Sequence, residues 1–418
     1  MGLDGRFSKT FGPGIIFATT AIGVSHLIQS TRAGAEYGLL LIGIVCMANL
    51  FKYPFFEFSS RYANATGTSL IDGYRKLGRH FLILYLAITI SSMFIITAAV
   101  GFVTAGFFEN LFGVNFLGVW SVVILFGICI IILRSGRYRI FDGTIKIISI
   151  VMIFSTTAAF LIAVVNGPVH QTDSIIPPEL ITQTGILFLI ALMGWMPMPV
   201  DISSWHGLWT LERIKQTEFR PRLKETLLEF NIGYLITAIL AVFFVVLGAY
   251  IFFGSQQALP DNNVLFADTV VSLYTKTVGS WSYLIIASSA FSIMFGTIVA
   301  VFDGYSRAVQ RAIEQLSDKA EPTDASKSKR TYFILLASLA IGSLIVLVPF
   351  GNKMKDLIDF ATTVSFLIAP VVAVFNYKLV TGKYLAKDMQ PPSWLKILGV
   401  AGIVFLIGFA IFFIVSRF

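Results

Sequence analysis

Three side chains of this sequence could together bind a transition-metal ion: the imidazole of His26, the thioether of Met198 and the carboxylate of Asp201. Nitrogen, sulfur and a single carboxylate make a softer ligand set than the all-oxygen shell that Mg²⁺ prefers. Small or polar residues near the same positions would complete a substrate site. For this role we predict Gly23, Ser25, Gln29, Ser204 and Thr362.

Two broken apolar helices must position these groups. Residues 11–41 are interrupted at 23–26 (Gly-Val-Ser-His), and residues 185–209 are interrupted at 196–199 (Met-Pro-Met-Pro). Each interruption falls where the middle of a bilayer is expected. A break inside hydrocarbon leaves backbone N–H and C=O groups unpaired, so it survives only where it lines a protected cavity or a bound solute. Matching breaks in the two halves of a chain indicate the substrate site of a secondary transporter.

The composition is typical of a protein that lies mostly within a membrane, since 56% of the residues are hydrophobic and 13% are charged. Eleven apolar stretches approach the length of roughly 20 residues that is needed to cross a bilayer. They lie at about 12–33, 37–60, 81–108, 116–133, 140–165, 185–209, 231–253, 281–305, 331–349, 356–379 and 394–415. We therefore predict an all-α integral membrane protein with about 11 transmembrane helices, of which the first and sixth are broken at the midplane.

Basic residues indicate how the predicted spans are oriented. With the N-terminus in the cytoplasm, nearly all Lys and Arg residues fall in cytoplasmic loops, as expected for a membrane protein. This topology accounts for the formal net charge of +8, so no nucleic-acid partner is predicted. We expect a location in the bacterial inner membrane, with the lipid bilayer and a small transported substrate as partners.

The sequence contains no signal for catalysis or for nucleotide-driven pumping. A Gly-x-x-x-x-Gly-Lys-Ser/Thr loop and a His-Glu-x-x-His motif are both absent. Cys46 and Cys129 lie in separate predicted spans, without the spacing of metal ligands. We expect no cofactor and no enzymatic activity, and we expect transport to be driven by a gradient.

Proton coupling would require buried groups that can titrate. Glu57 in the second predicted span and His206 after the second break are the candidates. Lys52 shares its span with Glu57. Because charges inside a membrane need partners, both of these residues must find one within the helix bundle.

A small organic solute is the alternative cargo. Trp195, Trp205 and Trp209 flank the second break, and aromatic faces can bind an ammonium group while Asp201 supplies the opposite charge. That combination would suit an amino acid or a betaine-like molecule. A third hypothesis is a channel or membrane sensor that keeps the fold without transport.

Two stretches of the chain resemble a known family. Residues 12–16 (Gly-Pro-Gly-Ile-Ile) through 33–38 (Ala-Gly-Ala-Glu-Tyr-Gly) are similar to the first helix of the natural resistance-associated macrophage protein (Nramp) family of divalent-metal transporters. Residues 191–194 (Ala-Leu-Met-Gly), followed by Met198 and Pro199, are similar to the family's sixth helix, which carries a Met-Pro-His motif. The resemblance covers most of the chain.

The resemblance implies a LeuT-type architecture in a single transmembrane domain over residues 1–418. Two inverted five-helix repeats would occupy about 12–165 and 185–379, followed by an extra helix at about 394–415. It also implies a secondary active transporter, in this case a symporter, that moves a divalent ion of the Mn, Fe and Mg class by alternating access around a central site.

This chain differs from the family at the positions where the family binds the metal ion and carries protons. The family's first break reads Asp-Pro-Gly-Asn, so Gly23 stands in place of the metal-binding aspartate. In the sixth helix the family's histidine position is Val200, and Asp201 follows it. Residues 98–102 (Ala-Ala-Val-Gly-Phe) stand where the family's third helix carries an acidic residue for proton traffic. These replacements are the reason to consider an organic solute beside a metal ion.

Overall fold

The computed structural model describes residues 10, 12–114, 116–135, 138–170, 177, 179–255, 259–317, 325–351 and 353–416. Most of these residues are helical, and none of the described residues forms a strand. A helix or broken helix occupies each of the 11 positions that the apolar stretches predict. Residues 1–9, for which we predict a cytoplasmic location, lie outside the described residues.

The helices are numbered in chain order. They are α1 (Pro13–Ala21), α2 (Thr31–Tyr37), α3 (Ile42–Thr66), α4 (Leu70–Leu77), α5 (Arg79–Phe112), α6 (Val119–Ser135), α7 (Tyr138–Asn166), α8 (Gln183–Trp195), α9 (Ser204–Thr217), α10 (Leu223–Phe252), α11 (Asn263–Val278), α12 (Tyr283–Leu316), α13 (Ala325–Leu347), α14 (Met354–Thr381) and α15 (Ser393–Val415). The first broken helix consists of α1, the segment Ile22–Ser30 and α2, and the second consists of α8 and α9 with the residues between them.

The first break lies at Gly23. Its backbone angles, φ −67° and ψ −127°, are outside the helical range, and the π-helical turns of Ile22–Ser30 carry the chain through this kink. A Cβ at Gly23 would lie 2.8 Å from the hydroxyl oxygen of Thr297 in α12. The neighbouring helix therefore leaves no room for a side chain at the break.

The second break separates α8 from α9. Met196 and Pro199 have extended backbone angles, with ψ of 117° and 136°, and the chain resumes as a short 3₁₀ turn at Val200–Ser203. Proline lacks the N–H group that a continuing helix needs, so Pro197 and Pro199 stop α8 from running on. Both breaks are present at the residues that the sequence predicts.

The apolar character of the helices agrees with a membrane protein. Seven helical segments in the described part of the chain are long and apolar enough to cross a bilayer, and α6 and the second part of α7 are shorter apolar helices. The first broken helix and α3 fill the other predicted spans, and they bury polar and charged side chains inside the bundle. The prediction of an all-α integral membrane protein is confirmed.

Two described helices, α4 and α11, are not predicted from apolar stretches. Ser69 precedes α4 and its backbone N–H donates to Asp72 Oδ2 at 2.8 Å, which forms a capping box. Asn262 precedes α11, and its side-chain oxygen accepts from the backbone N–H groups of Val264 and Leu265. Both helices are too short to be predicted as membrane spans. Their N-cap residues, Ser69 and Asn262, are the features of the sequence from which they could have been predicted.

The first broken helix crosses α10 with the two backbones in contact. A Cβ at Gly34 would lie 2.0 Å from the Val245 carbonyl oxygen, and a Cβ at Gly248 would lie 2.3 Å from the Thr31 carbonyl oxygen. Lipid tails are as apolar as helix side chains, so membrane helices associate through close packing of small residues of this kind. The crossing fixes the helix that carries the first break.

We expect Gly34→Val to disrupt this crossing, because the clash is with backbone atoms that cannot move aside. The loss of folding stability should be about 3 kcal/mol or more, measured as a fall in the fraction of protein that stays monodisperse after heating in detergent. Gly43→Val is the matched control, since a Cβ at Gly43 has no atom within 4 Å. Equal heat resistance of the two variants would contradict this account of the packing.

Candidate functional site

A small cavity lies between the two breaks. Its volume is about 30 Å³, which is enough for an ion or for one or two water molecules. Its hydroxyl and thioether lining comes from Thr20, Ser25, Thr297 and Met198. The rest of its lining is apolar or aromatic: Val24, Ile96, Val100, Trp195, Pro197, Pro199, Ile202 and Val301. Among the described residues, no carboxylate lines this cavity.

Ser25 and His26 are held together at the first break. The His26 ring is fully buried, with Nδ1 2.8 Å from Ser25 Oγ and Nε2 2.8 Å from the Thr237 carbonyl oxygen. A carbonyl only accepts, so Nε2 carries a proton. The Ser25 hydroxyl has one hydrogen, for which His26 Nδ1 and the Ala21 carbonyl oxygen, 2.5 Å from Ser25 Oγ, are competing acceptors. Ser25 Oγ also lies 3.2 Å from the Pro197 carbonyl oxygen of the second break. His26 thus positions Ser25, and both of its nitrogens are occupied within the protein.

Asp201 lies in the 3₁₀ turn that follows the second break, and its side chain contacts Ser92 of α5. Its Oδ2 accepts from the Ser92 hydroxyl at 3.1 Å, and its buried Oδ1 has no hydrogen-bond partner among the described residues. Ser204 and Tyr85 of α5 share a hydrogen bond of 2.8 Å between their hydroxyls. Asp201 and Ser204 therefore tie the second broken helix to α5, and neither lines the cavity.

The amino group of Lys52 is buried beside the same break. Its Nζ donates to the carbonyl oxygens of Met193, Gly194 and Met198 at 2.5, 2.8 and 3.3 Å. The partners that a buried lysine requires are therefore the carbonyls at the end of α8, a contact that sequence spacing does not reveal.

The two candidates for proton coupling have different surroundings. Both carboxylate oxygens of Glu57 accept from Arg61 one turn later, with a shortest N···O distance of 2.5 Å, so Glu57 belongs to a buried ion pair. His206 Nδ1 lies 2.6 Å from Ser60 Oγ, and His206 Nε2 is buried without a hydrogen-bond partner in the described part of the chain. Neither residue lines the cavity.

Gln29 takes part in a polar network at one end of the bundle. Arg32 donates to both carboxylate oxygens of Asp359 in α14, at 2.7 and 3.2 Å, and Gln29 Nε2 donates to the same carboxylate at 3.1 Å. The Arg32 guanidinium also lies 4.9 Å from the centre of the Phe188 ring of α8. These contacts, which we call the Arg32 network, join the first broken helix to α8 and α14.

The predicted substrate residues are thus only partly brought together. Ser25 and Met198 line the cavity, and Gly23 packs on Thr297 at its edge. Thr362 does not line it, and its hydroxyl donates to the Ile358 carbonyl of its own helix at 2.7 Å.

The predicted metal ligands are also apart. His26 and Asp201 face other partners, so that of the three predicted ligands Met198 alone lines the cavity. Among the described residues, no group of three or more His, Cys, Asp and Glu side chains could hold a metal ion. Hydroxyl groups, a thioether and the backbone are what this cavity offers to a substrate.

We expect Asp359→Asn to loosen the end of the bundle that the Arg32 network closes, because it removes one charge of a hydrogen-bonded buried pair. A cysteine introduced by Ser25→Cys, in a background without the native cysteines, should then react with a polar thiol reagent about tenfold faster, as for a change of about 1.4 kcal/mol. Glu314→Gln is the control, since it weakens a 3.1 Å pair within α12. An unchanged reaction rate in Asp359→Asn would refute the closing role of the network.

Comparison with known proteins identifies relatives over the whole length of the chain. The family model of natural resistance-associated macrophage protein-like (Nramp) proteins matches residues 14–416. An uncharacterised protein of Pasteurella multocida is 32% identical over 412 residues, which are 97% of this chain and 92% of that protein. The divalent metal cation transporter MntH of Levilactobacillus brevis is 22% identical over 429 residues, which are 97% of this chain and 88% of the transporter.

A solved structure has the same fold. The manganese transporter of Eremococcus coleocola, crystallised with an aromatic bis-isothiourea substituted compound, matches with a TM-score of 0.74 and 13% identity over 98% of this chain and 87% of that one. This likeness confirms the LeuT-type architecture. Because the family model spans nearly the whole chain and the Pasteurella multocida relative is similar along its length, the chain belongs to the Nramp family.

Proposed function

We propose that this protein is a secondary active transporter that moves a divalent metal ion across a bacterial membrane by alternating access. The observation that carries the proposal is an ion-sized cavity between two helix breaks in a chain of the Nramp family. The relative in Levilactobacillus brevis is a divalent metal cation transporter, and the similar fold in Eremococcus coleocola is that of a manganese transporter. Breaks of this kind offer backbone carbonyl and N–H groups at the depth where an ion must lose its water.

Neutral donors would form most of the metal site in this proposal. The Met198 thioether and the hydroxyls of Thr20, Ser25 and Thr297 belong to the cavity lining. His26 would act as a positioning residue, because its hydrogen bond to Ser25 fixes where that hydroxyl lies. A thioether favours softer transition ions over Mg²⁺. The site would therefore prefer a transition ion to magnesium.

Asp201 would supply the negative charge. It follows Met198 by three residues in the same break, is buried, and has an unpartnered Oδ1 among the described residues. A cation inside a membrane needs an opposite charge nearby. Two other buried or half-buried carboxylates of the bundle, Glu57 and Asp359, are already paired with arginine. The Lys52 ammonium donates to backbone carbonyl groups, so among the described residues Asp201 has no salt bridge that an incoming ion would have to break.

Alternating access would require contacts at the two ends of the bundle to separate in turn. At one end, Asp359 holds Arg32 of the first broken helix at 2.7 Å. At the other end, Glu212 of α9 lies 3.6 Å from Arg307 of α12, which also binds Asp303 at 2.7 Å. Applying the positive-inside rule, the Arg32 end would be external, and the Arg307 end and the N-terminus would face the cytoplasm.

Neither candidate for proton coupling can change its charge in this conformation without a movement of its surroundings. Protonation of His206 would place an uncompensated charge against the Phe17 and Phe230 rings that pack on the imidazole. Glu57 can take up a proton only when its ion pair with Arg61 separates. That separation would leave a buried guanidinium without compensation, which is strongly unfavourable.

The cavity argues against an organic solute as the cargo. In this conformation a volume of about 30 Å³ accommodates an ion or water, and an amino acid or a betaine would fit only if the lining helices moved apart. Trp205, one of the aromatic residues considered for an ammonium group, packs against Tyr305 of α12 with ring centroids 4.6 Å apart, and it does not line the cavity. A metal ion is therefore the cargo that this site supports best.

Purified protein in liposomes should take up Mn²⁺ and Cd²⁺ down an imposed gradient. Asp201→Asn should lower the initial rate of uptake about tenfold or more, since a loss of about 1.4 kcal/mol is a factor of ten and a buried countercharge is worth at least that much. Met198→Ala should lower Cd²⁺ uptake more than Mg²⁺ uptake, because it removes the soft donor.

The controls for these uptake measurements are substitutions of the same residue types outside the site. Asp268→Asn lies on an exposed position of α11, and Met47→Ala on an exposed position of α3. Both should leave metal uptake unchanged. If the liposomes take up an amino acid or a quaternary amine but no metal ion, the proposal is wrong and the protein transports an organic solute.

A further inference from the structure

The Lys52 ammonium occupies the place of a bound cation. We propose that the carbonyl groups at the end of α8 and in the break that follows it form a binding site for a small monovalent cation, and that Lys52 fills this site permanently in place of a dissociable ion. The carbonyl groups are those of Met193, Gly194 and Met198. The proposal concerns the carbonyl groups of the second break. Its test therefore does not depend on which substrate binds in the neighbouring cavity.

The geometry around Lys52 is that of a coordinated ion. Nζ lies 2.5, 2.8 and 3.3 Å from the carbonyl oxygens of Met193, Gly194 and Met198. An ammonium group has three N–H donors and no acceptor, so these carbonyls use all of its hydrogen-bonding capacity. Lys52 is 0% exposed, and bulk water therefore plays no part in holding its charge.

The carbonyls are free to bind a cation because α8 stops. The helix ends at Trp195, so the carbonyl groups of its last turn lack the N–H partners that a continuing helix would supply. The same groups form the negative end of the helix dipole. Lipid cannot satisfy them, and the C-terminal ends of broken helices in transporters are suited to binding small cations. A cation site at this position follows from the break.

Asp201 is the buried carboxylate that follows the second break. The side chains of Asp201 and Lys52 are 2% and 0% exposed, and Asp201 Oδ1 has no hydrogen-bond partner among the described residues. We infer that the Lys52 ammonium compensates this carboxylate through space, and the second pair of variants below tests this inference. Arg32 and Arg61, two other buried cations of the bundle, are paired with carboxylates of their own.

Because Lys52 is covalently fixed, the second break would not need a free monovalent cation during transport. A free ion at this position would bind and leave during transport, and the transport rate would then depend on the concentration of that ion. Lys52 cannot leave, and its hydrogen bonds tie α3 to the end of α8. The carbonyls of Met193 and Gly194 are consequently closed to the substrate, which must use the donors nearer Gly23.

Removing the Lys52 side chain should expose the site to a free cation. In Lys52→Ala the three carbonyls and the vacated space should bind methylammonium, which has the same –NH₃⁺ group. We expect the variant to melt at a lower temperature than the wild type in tetramethylammonium chloride, and to regain most of the difference in methylammonium chloride at equal concentration. Tetramethylammonium has the same charge but no N–H donor. Heat resistance of tagged protein in solubilised membranes is the readout, so purification is not needed.

The wild type and Lys378→Ala are the controls for the cation effect. Lys378 is exposed on α14, where its Nζ lies 5.6 Å from the centre of the Phe81 ring, so its removal vacates no buried carbonyl site. Neither protein should distinguish methylammonium from tetramethylammonium. The proposal is overturned if Lys52→Ala shows no difference between the two salts, or if the wild type gains as much as the variant does.

A second pair of variants decides the matter if Lys52→Ala does not accumulate in the membrane. Lys52→Met fills the space with an apolar chain and leaves Asp201 uncompensated, whereas Lys52→Met combined with Asp201→Asn removes both charges. We expect the double variant to melt several degrees above Lys52→Met. Equal or lower heat resistance of the double variant, including the absence of both proteins from the membrane, would show that the two residues are not a pair and would end the proposal.

Discussion

The structure depends on how unpaired backbone groups are satisfied at two helix breaks inside a membrane. Neither lipid nor bulk water can bind them there, so side chains of the bundle must. At the first break the Ser25 hydroxyl has one hydrogen, and it can satisfy either the Ala21 carbonyl oxygen, 2.5 Å from Oγ, or the Pro197 carbonyl oxygen, 3.2 Å from Oγ. At the second break Lys52 donates to the carbonyls that end α8. A substrate that uses these backbone groups must replace bonds that the protein already makes with itself.

The buried charges differ in whether they can respond to a movement of helices. Glu57 and Arg61 belong to one helix, α3, so their ion pair is unaffected when α3 moves against its neighbours. The Arg32–Asp359 pair joins the first broken helix to α14 and must separate if those helices part. A pair of this kind resists opening by the cost of leaving buried charges without partners. The Arg32 network is therefore the electrostatic contact whose strength sets how easily its end of the bundle opens.

The features that could be predicted from the sequence are local ones. Apolar length located the spans, and glycine and proline located both breaks, because each depends only on neighbouring residues. The partners of polar groups could not be predicted, because packing selects them across the chain. His26 is an example, since its Nε2 binds a carbonyl 211 residues away, at Thr237. The expectation that His26, Met198 and Asp201 converge on an ion stays a prediction. Lys52 shows that backbone carbonyls can accept all the hydrogen bonds of a buried ammonium group.

Gly23, where the resemblance to the family places an aspartate, is closely packed at the first break. A Cβ there would lie 2.8 Å from Thr297 Oγ1, so an aspartate at this position would have to displace the Thr297 side chain. The carboxylate next to the second break is Asp201, which does not line the cavity. An ion entering the cavity would then be in direct contact with neutral donors only. Because a metal ion gains less Coulomb energy from such a site than from an uncompensated carboxylate, the proposed transporter should bind its ion more weakly than a relative with aspartate at the first break.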